Sequence, residues 1–145
     1  MSNRSISAAK AAEIGRSIEQ ALSSHSPSQA IRLVTKEAVW RDKDAVHVGR
    51  DEIWSALTQK WSNSLHCTLR QEIESFDARR IVIQFESEWQ HSICGRWYRS
   101  SGEMRVSVDD HWSLSTIESR QTDTPISASE RRLAISMAAT SDSAS

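Results

Sequence analysis

The chain's pattern predicts an α+β domain: three helices on one face of a strongly curved antiparallel sheet. Two observations carry this. Apolar residues recur every three or four positions as far as Trp61, and the period becomes strand-like past Ser62. The breaks between the later apolar runs are short, which pairs successive strands antiparallel. The length, 145 residues, suits one domain. That domain is expected over residues 1–137, with a small-residue polar tail, 138–145, expected to be disordered.

The first helix is predicted over residues 7–23, where Ala8, Ala11, Ala12, Ile14, Ile18, Ala21 and Leu22 form one stripe. Serines and Pro27 break it. Ser26 or Ser28 caps a second helix over 29–34, with Pro27 near its first turn. A short strand over 37–41 carries Trp40, and Gly49 closes the following loop. A third helix over 51–61 places Ile53, Trp54, Leu57 and Trp61 on one stripe. Four strands follow, over 66–76, 80–93, 96–108 and 112–122, and then a short helix over 128–137. Strands of about ten residues or more curve to wrap a core. Three helices cannot cover such a sheet, so a cone-shaped cavity is expected, with the outer face free for dimerisation.

Composition narrows the function. Eighteen Lys and Arg against 19 Asp and Glu leave a formal net charge of -1. Nucleic-acid binders held by bulk electrostatics carry a basic excess instead. A mean hydropathy of -0.53 predicts a soluble chain. No apolar run is long enough to span a bilayer, and residues 1–10 do not read as a secretory signal. With only Cys67 and Cys94, a cytoplasmic location is expected. Five scattered histidines show no metal-ligand spacing, and four glycines cannot build a phosphate-cradling loop. No metal and no cofactor are therefore expected. Six tryptophans against one tyrosine suggest either an aromatic core or a site for a flat organic ligand.

Several motifs occur in a telling order. They are Trp40-Arg41, Gly49-Arg50-Asp51-Glu52-Ile53, Lys60-Trp61, Phe76-Asp77 and Glu88-Trp89. Gly95-Arg96-Trp97-Tyr98-Arg99-Ser100, Gly102, Glu118, and Asp123 with Pro125-Ile126 follow. Together, over roughly residues 8–133, they resemble the nuclear transport factor 2-like superfamily, and within it a SnoaL-like (polyketide cyclase-like) subfamily of largely unknown function. That resemblance implies the cone fold, and a superfamily of isomerases, polyketide cyclases, dehydratases and non-catalytic binding domains. The chain departs from the subfamily pattern where Met104 replaces a glutamate and Val106 a tryptophan. Such changes suggest a specialised relative recruited to secondary metabolism.

Strand parity selects candidate residues. On the third long strand Tyr98, Ser100, Gly102, Met104, Val106 and Val108 share the face expected to line the cavity. On the last strand Trp112, Leu114, Thr116, Glu118 and Arg120 share a face, so an inward Trp112 and Leu114 would bring Glu118 and Arg120 inward too. A carboxylate in apolar surroundings is raised toward neutrality and moves protons, while tyrosine and arginine stabilise a developing oxyanion. The expected catalytic set is therefore Glu118, Tyr98 and Arg120, with Arg41 and Asp42 near the mouth. The expected substrate walls are Trp40, Trp54, Trp61, Glu88, Met104 and Trp112. Glu118 and Arg120 also read as a surface ion pair, and Glu88 fits the dimer face equally well. The leading expectation is a homodimeric, cofactor-independent isomerase, cyclase or dehydratase of a natural-product-like small molecule. Its rival is a non-catalytic binding or dimerisation domain.

Overall fold

The computed structural model describes residues 5–133. Ser7 caps helix α1 (Ala8–Ser23) by accepting from the Lys10 N–H at 3.1 Å. Ala11, Ile14, Gly15, Ile18 and Ala21 are its buried stripe. The chain leaves α1 through a Schellman turn. The His25 N–H donates to the Leu22 carbonyl and the Ser26 N–H to the Ala21 carbonyl, with His25 at φ +50°. Ser26 then caps α2 (Pro27–Leu33), and β1 (Val34–Arg41) follows directly, starting three residues earlier than its pattern suggests.

The Asp42 carboxylate accepts from the Asp44 and Ala45 N–H groups and turns the chain into β2 (Val46–Val48), a strand too short for its period to register. Helix α3 (Arg50–Ser62) buries Ile53 and Leu57. Trp54 lies one residue, or about 100°, round the helix from Ile53 and is 42% exposed, so the expected stripe is narrower than four residues.

Strands β3 (Ser64–Asp77), β4 (Arg80–His91), β5 (Trp97–Val108) and β6 (Leu114–Ile126) pair antiparallel in chain order, as the short turns predict. The sheet order is β2-β1-β6-β5-β4-β3. The four-strand antiparallel meander is as expected; the short strand β1, which the pattern gives no partner, pairs with β6 in parallel and makes the sheet mixed. A parallel pair needs a long connection, and here a helix and four other strands intervene. The result is a curved, unclosed, mixed sheet with the three helices, the cone that the resemblance implies.

The core lies on the concave face. Ile81, Ile83, Met104, Val106 and Ile117 pack against Ile14, Ile18, Ile53 and Leu57. Each such burial contributes roughly 2 kcal/mol. At Gly102 the β6 backbone leans onto β5: a Cβ there would fall 1.9 Å from the Arg120 carbonyl oxygen.

One irregularity decides which β6 residues face the core. Ser107 pairs with Thr116 but Val108 pairs with Leu114, so Ser115 is a bulge. Leu114 and Ile117, three residues apart, are consequently both buried. Downstream, Ser119, Gln121 and Asp123 turn to the concave side, and Glu118 and Arg120 turn outward.

The expected helix over 128–137 is, within the described residues, a single 3-10 turn, Ala128–Glu130, capped reciprocally by Ser127 and Glu130. Its remainder and the tail lie outside the described residues. Residues 130–133 strap across the outer sheet face. Glu88 is only 1% exposed beneath them. Its carboxylate accepts from Arg99 at 2.8 Å, from the Arg132 N–H at 3.1 Å and from the Leu133 N–H at 2.8 Å. Arg131 lies 3.8 Å over the Trp97 ring, and Arg132 pairs with Glu86. Among the described residues no helix is long and apolar enough to cross a membrane.

Candidate functional site

The cone opens between the concave sheet face, the α1–α2 turn and α3. Its inner chamber has a volume of about 220 Å³ and its vestibule about 660 Å³. The two share Trp40, Leu57, Lys60, Ser119, Gln121 and Asp123 and are therefore continuous. Trp40, Trp61, Phe85, Trp89, Leu69 and Met104 make the chamber wall largely apolar.

The polar groups fall on two sides. On the sheet side, the Trp89 Nε1–H donates to Ser100 Oγ at 2.9 Å, and the Ser100 hydroxyl donates to Asp123 Oδ1 at 2.5 Å. Gln121 donates to the same carboxylate oxygen at 2.9 Å. Ser100 is 1% exposed, so its rotor is fixed by two partners in a dry setting. The Trp40 Nε1–H donates to Ser119 Oγ at 3.2 Å, which ties the indole to β6 where chamber and vestibule meet.

On the other side stand His25 of the α1–α2 turn and Lys60 of α3, with Cys67 on the edge strand β3. The His25 ring stacks on Trp61, the two rings parallel with centroids 5.2 Å apart. Burial, helped by the nearby Lys60 ammonium, pushes the His25 pKa down from its usual 6.5, so the ring is neutral near neutral pH. Burial pushes the Cys67 thiol up to about 11 against an opposing pull from Lys60, so it stays protonated and unreactive.

The sequence-predicted residues divide accordingly. Trp40, Trp61 and Met104 line the chamber, and Asp42 lies on the vestibule rim. Tyr98 shares the concave parity, but its ring stacks on Trp89 at 4.8 Å and it does not line the chamber. The placement of Glu118 and Arg120 in the cavity is corrected, since both sit with Arg41 on the exposed outer face. The parity count is sound on either side of Ser115, but the bulge breaks it between them. Trp112 does not belong to the last strand. It occupies a turn at φ +64°, packed near α1 with Lys10 5.5 Å over its ring. Trp54 is exposed on α3, and Glu88 anchors the outer strap. The residues missed are Asp123, Gln121 and His25. Trp89, Ser100 and Asp123 all belong to the motifs Glu88-Trp89, Gly95–Ser100 and Asp123-x-Pro125, which was the signal available for them.

Residues 5–134 match the model of a family described as "Protein of unknown function (DUF1348)". The chain belongs to this family. No curated protein matches the chain. Solved structures place the family's fold. The epoxide hydrolase/cyclase-like enzyme SalBIII, described in pyran ring formation in the polyether salinomycin, superposes with a TM-score of 0.69 at 9% identity, covering 79% of this chain and 92% of that one. A type 2 hexachlorocyclohexane dehydrochlorinase (LinA) gives 0.66 at 8% identity, covering 81% and 86%. A candidate SnoaL-like polyketide cyclase from Shewanella denitrificans gives 0.63 at 15% identity, covering 77% and 90%. The DUF1348 chain therefore has the nuclear transport factor 2-like fold, with SnoaL-like proteins among its structural neighbours.

Proposed function

We propose that this DUF1348 protein is a cofactor-independent isomerase or cyclase acting by proton transfer on a small molecule whose body is largely apolar. The observation that carries the reading is the Trp89–Ser100–Asp123 chain of hydrogen bonds ending in a largely apolar chamber. Asp123 is the base. Ser100 and Gln121 both donate to its Oδ1, which leaves Oδ2 to take the proton, and the proton removed rests on that carboxylate until it is returned elsewhere on the molecule. The neutral His25 lines the same chamber and is the group proposed to donate to the oxygen on which negative charge develops. The cyclase and dehydrochlorinase names carried by similar folds support this choice of reaction class. Homodimer formation and a natural-product substrate belong to the same proposal and rest on the family resemblance.

The reading is tested by following exchange of acidic C–H protons of enolisable cyclic ketones with D2O by NMR. Catalysed exchange is expected in the wild type, and Asp123→Asn lowers it by about 10²–10⁴-fold. Exchange unchanged by that substitution removes Asp123 from the role. One observation favours a non-catalytic binding domain instead: Asp123 lies on an exposed stretch of β6, where solvent reaches it. That reading requires wild-type exchange at the buffer rate while ligands still bind.

A further inference from the structure

Only two charged side chains, Lys60 and Asp123, touch both the inner chamber and the vestibule. They differ in one respect. The Asp123 carboxylate is engaged by Ser100 and Gln121. Among the described residues, Lys60 has no ion-pair or hydrogen-bond partner. Its charge nevertheless reaches the chamber, since it opposes protonation of His25 and favours ionisation of Cys67. With His25 neutral, Lys60 is the single cation among the described residues that line the chamber, an exposed side chain of α3 standing at its rim. The indoles of Trp40 and Trp61 line the same chamber.

An unneutralised ammonium at the edge of an aromatic box selects a particular ligand. The flat body gains by leaving water, and the anionic head gains a charge-assisted hydrogen bond that a neutral head does not. We propose that the ligand class is a small aromatic-sized carboxylate, its ring in the chamber and its carboxylate on Lys60. This deepens the proton-transfer reading and rests on the same cavity. It places the head group on the helix side, across from Asp123, which keeps like charges apart. The other charged groups of the vestibule, Asp42, Lys43 and Asp44, lie on the loop before β2 and line only the vestibule.

The test compares two probes of matched shape, 2-naphthoate and 2-naphthamide, by quenching of tryptophan fluorescence. The wild type is expected to bind the carboxylate at least about tenfold more tightly than the amide. Lys60→Met removes that preference and leaves amide binding within about twofold; Lys60→Gln, as a polar second variant, behaves alike. Equal affinities in the wild type, or a preference that survives both substitutions, overturn the carboxylate assignment while leaving the cavity a ligand site. Failure of both probes to bind overturns the assignment and the cavity reading together. Loss of proton exchange in Asp123→Asn is read separately and bears only on catalysis.

Discussion

His25 shows how a single residue is held against its own preferences. It occupies the left-handed position that closes α1, at φ +50°, where glycine is the common choice. Its ring is also desolvated and crowded by the Lys60 charge, and both effects lower its proton affinity. Neither condition helps folding. Because the folded state binds its proton more weakly than the unfolded chain, the stability contributed is present above about pH 6.5 and declines as pH falls below that value. His25→Gly removes both costs. It is expected to raise stability by about 0.5–1 kcal/mol in thermal unfolding and to flatten the decline below pH 6.5. Ligand binding in the chamber should weaken, since the stack on Trp61 is lost. A fall in melting temperature would show that the stack outweighs the backbone strain. Nothing in the sequence marked His25: a lone histidine among serines in a helix break has no period to betray it.

Elements were legible where one period governed them. The α1 stripe, the α3 heart at Ile53 and Leu57, and the β3–β6 meander all follow from spacing and turn residues. β2 is too short to show a period, and the parallel pairing of β1 with β6 depends on contacts far apart in sequence. The bulge was equally hidden, because Ser115 and Thr116 are both small, polar and compatible with either face. The parity argument therefore succeeded on β5, where Met104, Val106 and Val108 are buried together, and failed on β6. Glu88 was read as a ligand or dimer contact but serves the strap over residues 130–133. Burial alone would raise its pKa, yet Arg99 and the N–H groups of Arg132 and Leu133 outweigh burial and hold the carboxyl below its usual 4.5. Its stabilising effect is thus complete above about pH 4.5 and lost as pH falls through the lowered value. Glu88→Gln is expected to cost about 3 kcal/mol and to speed amide exchange at Arg132 and Leu133 at pH 7. Unchanged protection there would mean that Leu133 burial alone holds the strap.

Across the whole molecule the tryptophans divide evenly between site and scaffold. Trp40, Trp61 and Trp89 line the chamber, while Trp54, Trp97 and Trp112 lie elsewhere. The sheet's close β5–β6 approach at Gly102 belongs to this scale, because the two strands carry Ser100, Met104 and Asp123 together. Gly102→Ala places a methyl group against the backbone of β6 and is expected to cost roughly 3 kcal/mol in urea unfolding. A loss under 0.5 kcal/mol would mean that the strands part easily. The extra residue at Ser115 has a consequence for how such a protein changes over generations. Its loss, a three-nucleotide deletion, would let Leu114, Thr116 and Ile117 alternate regularly and would keep every β5–β6 pairing on either side of it. Glu118 and Arg120 would stay outside the cone, and Ser119, Gln121 and Asp123 inside it. The polar groups of the cone are thus set by their partners on β5 and not by the extra residue, so a lineage can gain or lose that residue without exchanging one set for the other.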